Sequence, residues 1–290
     1  MSTASTLDGL NAASAADFTS VLGGIFEHAP WVAAEAAAAR PFATVTALHT
    51  AMMAAVRAAS PERGLAFLCG HPELAGAAAL AGTMQAESTA EQAGLGLERQ
   101  SIATLAELNG EYRARFGFPF ILCVRRHTAA SVLAAFRRRL QADPAEERET
   151  ALREIGFITR LRLADRVTGP GLPETSGSLT THVLDTSLGR PAAGVAVTLL
   201  EVGGVAPVVL AEGVTDHQGR TSRPLLQDGP LRIGWYELRF DVGTYFGDRL
   251  AEQPAFLNVV CVRFAISEPE THMHIPLLVS PGGYTTYRGS

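Results

Sequence analysis

Thr168-Gly-Pro-Gly-Leu-Pro-Glu-Thr-Ser-Gly177 packs three glycines and two prolines into ten residues, and the chain has a different periodicity on each side of it. Proline removes a backbone donor and glycine loosens the chain, so this stretch continues neither a helix nor a strand and is read as a linker over residues 168–177. Ahead of it, apolar residues recur at helical spacing. Phe18, Leu22, Ile25 and Phe26 form one stripe, and Val132, Leu133, Phe136 and Leu140 another. Ser14 is the expected N-cap of the first of these helices, and Ser60-Pro61-Glu62-Arg63-Gly64 a break between two others. Behind it, short alternating segments are separated by turn residues: Leu179 to Leu184, Val195 to Val202, Tyr236 to Val242, Leu257 to Ile266 and His272 to Val279, with turns at Asp216-His217-Gln218-Gly219 and Ser280-Pro281-Gly282-Gly283. The expectation is two domains, an all-α helical bundle over residues 1–167 and an all-β sandwich over residues 178–290.

The length of 290 residues, 47% hydrophobic and 18% charged, is enough for two ordinary cores. The net charge of -5 is spread evenly, with 15 Arg against 17 Asp and Glu up to Asp165 and 9 against 12 beyond it. Neither half has the basic surplus of a nucleic-acid binder. All 24 basic residues are arginine, which excludes a Schiff-base lysine and a P-loop lysine. Cys69, Cys123 and Cys261 are odd in number and lie in apolar runs, so they read as buried, reduced thiols. The N-terminus has no basic region ahead of an apolar core, and the uncharged stretch from Pro41 to Val56 is too short to span a bilayer. A soluble cytoplasmic protein, without membrane or nucleic-acid partners, is expected.

Three polar constellations stand out beyond the linker. Leu179-Thr-Thr-His182-Val-Leu-Asp185 places one histidine in a strand, where alone it reads as structural. In Thr215-Asp-His-Gln-Gly219-Arg220-Thr221 an arginine follows a turn glycine. In Thr271-His-Met-His274-Ile-Pro-Leu-Leu278 strand alternation puts His272 and His274 on one face, a pair suited either to zinc or to a general base with an orienting neighbour.

With the closing Tyr287-Arg288-Gly289-Ser290, these segments from about Leu179 onward resemble 5-hydroxyisourate hydrolase of the transthyretin-related family. The resemblance implies a transthyretin-like sandwich and a metal-free hydrolysis. By it, His182, Arg220, His274 and Ser290 are catalytic, Tyr287 and Arg288 bind substrate, and the fold assembles as a homotetramer. Two departures are Met273, where the family usually has tyrosine, and Gly282 and Gly283, where it has a larger residue. Met273 is expected to face away from the histidine pair.

The helical half carries Phe67-Leu-Cys-Gly-His71-Pro72-Glu-Leu74, in which proline biases His71 out of helical geometry. In Glu87-Ser88-Thr-Ala-Glu91-Gln92-Ala-Gly-Leu95, Ser88 and Glu91 have capping-box spacing, which leaves Gln92 unexplained. Arg115-Phe-Gly-Phe-Pro-Phe-Ile-Leu-Cys-Val124 is an apolar run opened by Gly117 and Pro119. Together with Arg162 in its RLRL segment, these motifs resemble the cofactor-free 2-oxo-4-hydroxy-4-carboxy-5-ureidoimidazoline (OHCU) decarboxylases. By that resemblance His71 is the catalytic acid and Glu91 is catalytic beside it. Pro72, Ser88, Gln92, Phe120, Ile121, Leu122, Cys123, Val124 and Arg162 contact substrate. No cofactor is implied in either half.

The two resemblances together imply a bifunctional enzyme of urate breakdown that acts on 5-hydroxyisourate and then on OHCU. The rival readings are a transthyretin-like binding protein fused to a helical domain, and a zinc hydrolase built on His182, His272 and His274.

Overall fold

The computed structural model describes residues 4–74, 99–227, 229–247 and 255–289. The motif residues Ser88, Glu91, Gln92 and Ser290 lie outside them. The chain divides into two compact units, one of residues 1–125 and 132–175, the other of residues 126–131 and 176–290.

The first unit is helical: α1 (Leu7–Ala12), α2 (Ala15–Leu22), α3 (Pro30–Ala36), α4 (Val45–Ala58), α5 (Pro61–Cys69), α6 (Arg99–Phe116), α7 (Ala129–Arg139, which begins in the other unit) and α8 (Pro144–Arg166). Ser14 caps α2 by accepting from Asp17 N at 3.1 Å. The break after α4 is confined to Ala59 and Ser60; Ser60 caps α5, and Pro61 opens it at a position whose amide needs no partner. Asp143 and Pro144 start α8 in the same way, the carboxylate accepting from Ala145 N at 2.8 Å.

The unit is not purely α. Ser5–Thr6 (β1) pairs in parallel with Val167–Thr168 (β2), so the two ends of the helical segment are tied to each other. Apolar periodicity does not register two-residue strands, because a pair this short shows no alternation. Past β2, the carbonyl of Pro170 accepts from Val45 N at 2.9 Å, and that of Gly171 accepts from Thr46 N at 3.1 Å.

The second unit has two four-stranded sheets. One has the order β10-β9-β3-β4, formed by Gly283–Thr286, His272–Ser280, Ser178–Asp185 and Arg190–Pro191. The other is β6-β5-β7-β8, formed by Val208–Val214, Ala196–Glu201, Gly234–Asp241 and Val259–Ile266. Among the described strands of these two sheets, β3 and β9 pair in parallel and the other pairs are antiparallel. The inner faces meet in a core that includes Leu179, Val183, Leu199, Leu238, Phe240, Ile275 and Leu277. A five-residue helix, α9 (Val242–Phe246), follows β7. Strand β6 escapes the alternation pattern because it is an edge strand whose Val208, Val209 and Val214 are exposed.

Of the three cysteines only Cys123 is buried; Cys69 and Cys261 are exposed, against expectation, and none of the three is in a disulfide. Cys261 sits on an outward-facing position of β8, so its apolar neighbours in sequence point to the opposite face. Cys69 lies in the last turn of α5, with its thiol directed to Gly117 O at 3.3 Å.

Candidate active sites

In the sandwich, the parallel register of β3 and β9 sets Ser178 beside His272, Thr180 beside His274 and His182 beside Pro276. Paired residues in adjacent strands face the same side, so both histidines of the HMH segment share a face with Ser178, Thr180 and His182. The two rings stack with centroids 6.3 Å apart. Met273 is buried on the opposite face, as alternation requires.

Arg220 reaches this face through a tight turn. Asp216 accepts from the amides of Gln218 at 2.8 Å and Arg220 at 3.1 Å, and Asp216 N donates to Arg220 O at 2.8 Å. Gly219, at φ 73°, passes so close to β3 that a Cβ there would meet Val183 O at 2.3 Å and His182 Cδ2 at 3.0 Å. The turn is fastened by Val183 N donating to Gly219 O at 2.8 Å.

The positive charge of Arg220 is felt by both imidazoles. Burial first, then Arg220, lowers His182 below the ordinary histidine value; burial, Arg220, His272 and His182 lower His274. Both rings are therefore neutral at pH 7. His182 Nε2 is buried with no hydrogen-bond partner among the described residues. Neutral imidazoles near a guanidinium can accept a proton from water while the cation stabilises an oxyanion.

The YRGS segment joins this site through its backbone. Gly289 N donates to His274 O at 2.8 Å. The side chains of Tyr287 and Arg288 are not gathered with the histidines: they line a cavity of about 210 Å³ with Met273, Ile275, Val262 and Phe264, and Arg288 pairs with Glu268 at 3.1 Å. Both ring nitrogens of His272 face hydroxyls, Ser178 Oγ at 2.7 Å and Thr180 Oγ1 at 3.3 Å. Among the described residues no three His, Cys, Asp or Glu side chains are grouped to hold a metal ion.

In the helical unit His71 follows Gly70, which ends α5, and its amide still donates to Leu68 O at 3.2 Å. The ring is buried edge-on to Phe67, with centroids 5.5 Å apart, and its Nε2 has no partner among the described residues. Burial, then the charges of Arg162 and His28, push His71 down to about 3. The imidazole is thus neutral at pH 7, not poised near neutrality as an acid. Arg162 is buried and ion-paired with Glu27, Nη1 to Oε2 at 2.9 Å. Pro72 is half-buried.

Phe120, Ile121, Leu122, Cys123 and Val124 are all buried. Ile121 O accepts from Arg139 Nη1 at 2.8 Å, and Cys123 N donates to Glu154 Oε2 at 2.9 Å, so the protein itself holds this segment's backbone at two points. Arg139 also pairs with Glu147, Nη2 to Oε1 at 2.5 Å, and that carboxylate accepts from the Tyr112 hydroxyl. Phe120 stacks on Phe136 at 3.8 Å between centroids.

Glu147, Glu154 and Arg162 recur at near-heptad spacing along α8, on the same stripe as Ala151, Ile155 and Ile158, and all are buried. Sequence reasoning named Arg162 alone. The signal for the others was available as acidic residues on a core-facing helical stripe, where a buried charge must have a partner.

Each unit thus presents a neutral imidazole, under the influence of a guanidinium, with one buried nitrogen that has no partner among the described residues, the equipment of an acid–base enzyme with two separate centres. Residues 11–164 match the family model described as OHCU decarboxylase, and residues 179–289 match that of the HIUase/Transthyretin family. The chain belongs to both families, as a fusion of an OHCU decarboxylase domain with a 5-hydroxyisourate hydrolase (HIUase) domain. The 5-hydroxyisourate hydrolase of Halalkalibacterium halodurans is 50% identical over 118 residues, covering 40% of this chain and 99% of that protein. The OHCU decarboxylase of Haloferax volcanii is 38% identical over 161 residues, covering 56% of this chain and 95% of that protein. A crystal structure of (S)-allantoin synthase matches with a TM-score of 0.54 at 35% identity, covering 99% of this chain and all of that one.

Proposed function

We propose that the C-terminal domain hydrolyses 5-hydroxyisourate to OHCU and that the N-terminal domain decarboxylates OHCU to (S)-allantoin, two consecutive steps of urate breakdown. The observation that carries this reading is the pair of imidazole nitrogens without a partner among the described residues, His182 Nε2 and His71 Nε2, each buried in the domain whose family performs the step.

For the hydrolysis, His274 takes a proton from water, His182 positions it, and the hydroxide adds to the ring carbonyl. Arg220 stabilises the negative charge that forms on oxygen until the intermediate collapses, the C–N bond breaks and the imidazolium of His274 returns its proton to the leaving nitrogen. Tyr287, Arg288 and Ser290 bind or orient substrate, which requires the Tyr287 and Arg288 side chains to turn toward the histidine face when it is bound.

For the decarboxylation, the carboxylate leaves as carbon dioxide and its electron pair delocalises into the neighbouring carbonyl and imine, so no cofactor is required. A proton then adds to one face of the carbanion, which sets the hand of the product. His71 is the donor. Its imidazole is neutral without ligand, and the substrate carboxylate, by offsetting the charge of Arg162, is what raises its proton affinity on binding. Glu91 orients the imidazole, and Pro72, Ser88, Gln92, Arg162 and the 120–124 segment hold the ureidoimidazoline. The protein self-associates as a homotetramer through its transthyretin-like domain, as the family resemblance implies, and its sequence composition is in keeping with work in the cytoplasm.

The test generates 5-hydroxyisourate from urate in situ and follows its decay and the growth of optically active allantoin against the uncatalysed rates. His182→Ala should slow the first step alone and His71→Ala the second alone. Wild-type handling of both intermediates by the double variant overturns the assignment.

A further inference from the structure

A continuous chain of hydrogen bonds runs along the histidine face of the sandwich. Ser178 Oγ meets His272 Nδ1 at 2.7 Å, His272 Nε2 meets Thr180 Oγ1 at 3.3 Å, and Thr180 Oγ1 meets His274 Nδ1 at 2.9 Å. The parallel register of β3 and β9 makes this chain possible, because it sets each hydroxyl residue level with a histidine of the neighbouring strand. Neither Thr180 nor His272 has a role in the function proposed above.

We infer that Thr180, backed by His272 and Ser178, is the positioning residue that fixes the tautomer of His274 and so makes its Nε2 the general base of the hydrolase. This inference rests on the hydrolase reading. A threonine hydroxyl has a single proton, so Thr180 can donate to only one of the two imidazoles and must accept from the other. Two directions are open to the whole chain. In one, Thr180 donates to His274 Nδ1, and the neutral ring then carries its proton on Nε2, where it cannot deprotonate water. In the other, His274 Nδ1 donates to Thr180, Thr180 donates to His272 Nε2, and His272 Nδ1 donates to Ser178.

Only the second direction leaves a lone pair on His274 Nε2. It also survives the reaction unchanged: when Nε2 gains the water proton, the imidazolium keeps its Nδ1 bond to Thr180 and no hydrogen bond reverses. The solvent-exposed His272 end supports this direction, since the Ser178 hydroxyl there can pass its own proton to water. The arrangement is the orienting-partner logic of a catalytic triad, with a hydroxyl and a second imidazole in place of the carboxylate.

The test uses the full chain and two readouts. Long-range proton–nitrogen correlation on histidine-labelled protein identifies the tautomer of His274 without any turnover; the expected spectrum has the proton on Nδ1. Steady-state hydrolysis of 5-hydroxyisourate by Thr180→Val, which keeps the side-chain shape, should show kcat lowered about tenfold or more with KM within about twofold. His274 should then populate the Nε2-protonated form, and Thr180→Ser should restore both kcat and the tautomer. His272→Gln breaks the chain from its exposed end, where folding is least at risk, and should lower kcat in the same sense. A wild-type His274 protonated on Nε2, or wild-type kcat in Thr180→Val, overturns the inference while leaving the hydrolase reading intact. A wild-type protein that does not accelerate 5-hydroxyisourate decay overturns the hydrolase reading instead, and the tautomer remains decided by the spectrum.

Discussion

The amide of Gly289 donates to the carbonyl of His274 at 2.8 Å, and a Cβ placed on that glycine would lie 2.8 Å from His274 Cδ2. The YRGS segment therefore leaves no room for a side chain against the ring proposed as general base. Gly289→Ala should displace that ring or the segment by a few tenths of an ångström and cost about 10- to 100-fold in kcat for hydrolysis. Decarboxylation of OHCU by the same variant should be unchanged. Separate assays of the two steps check this, and an equal loss in both would mean a general folding defect.

The acid limb of the hydrolase should lie below the ordinary histidine pKa of about 6.5, because burial and Arg220 hold His182 and His274 below that value and keep them unprotonated as pH falls. Replacing Arg220 with Gln removes a positive charge that disfavours protonation, so the limb should move up in pH as well as down in amplitude. The pH profile of kcat/KM for the two proteins measures both effects. A limb that stays in place in Arg220→Gln would separate the arginine from the histidines electrostatically.

The Arg139, Glu147 and Tyr112 network is buried: Arg139 and Tyr112 both donate to Glu147 Oε1, Arg139 also donates to Ile121 O, and Glu147 Oε2 has no hydrogen-bond partner among the described residues. Glu147→Ala leaves the Arg139 guanidinium uncompensated and should destabilise the helical domain by about 3–5 kcal/mol. Tyr112→Phe removes only the hydroxyl and should cost about 1–2 kcal/mol. Denaturant unfolding monitored by helical circular dichroism tests the ranking.

Acid should weaken the helical domain earlier than the carboxylates alone require. His71 and His49 are lowered to about 3 and about 4 in the fold, His49 by burial and the charge of Arg160, whereas the unfolded chain binds their protons near 6.5. Below pH 6.5 the unfolded state holds more protons, so these groups contribute stability that is complete above pH 6.5 and declines as pH falls toward 4 and 3. In His71→Asn the fall in melting temperature over that interval should be shallower than in wild type.

Two domains, the strands from β3 to β9 that alternate cleanly, and the shared face of His272 and His274 are legible in the sequence, because each follows from a period of 2.0 or 3.6 residues. Hydrophobic periodicity is blind to what departs from it. The β1 and β2 pair is too short to have a period, and β6 is an edge strand with apolar residues in water. The hydroxyls of Ser178 and Thr180 acquire meaning only once β3 lies parallel to β9, a pairing between residues more than 90 positions apart. The protonation of His71 is likewise governed first by burial that no local motif encodes and then by Arg162, far away in the chain.

The stretch richest in glycine and proline is tied down at both ends. Pro170 and Gly171 supply carbonyls to the first amides of α4, groups that a helix start cannot satisfy from within, while Gly177 N donates to Gly229 O in the sandwich. For anyone transplanting either catalytic module into another protein, the safe cut therefore falls within residues 172–176. A splice at 168 would take two hydrogen-bond acceptors from α4, about 1 kcal/mol each, and deliver a helical module whose α4 begins with open amides.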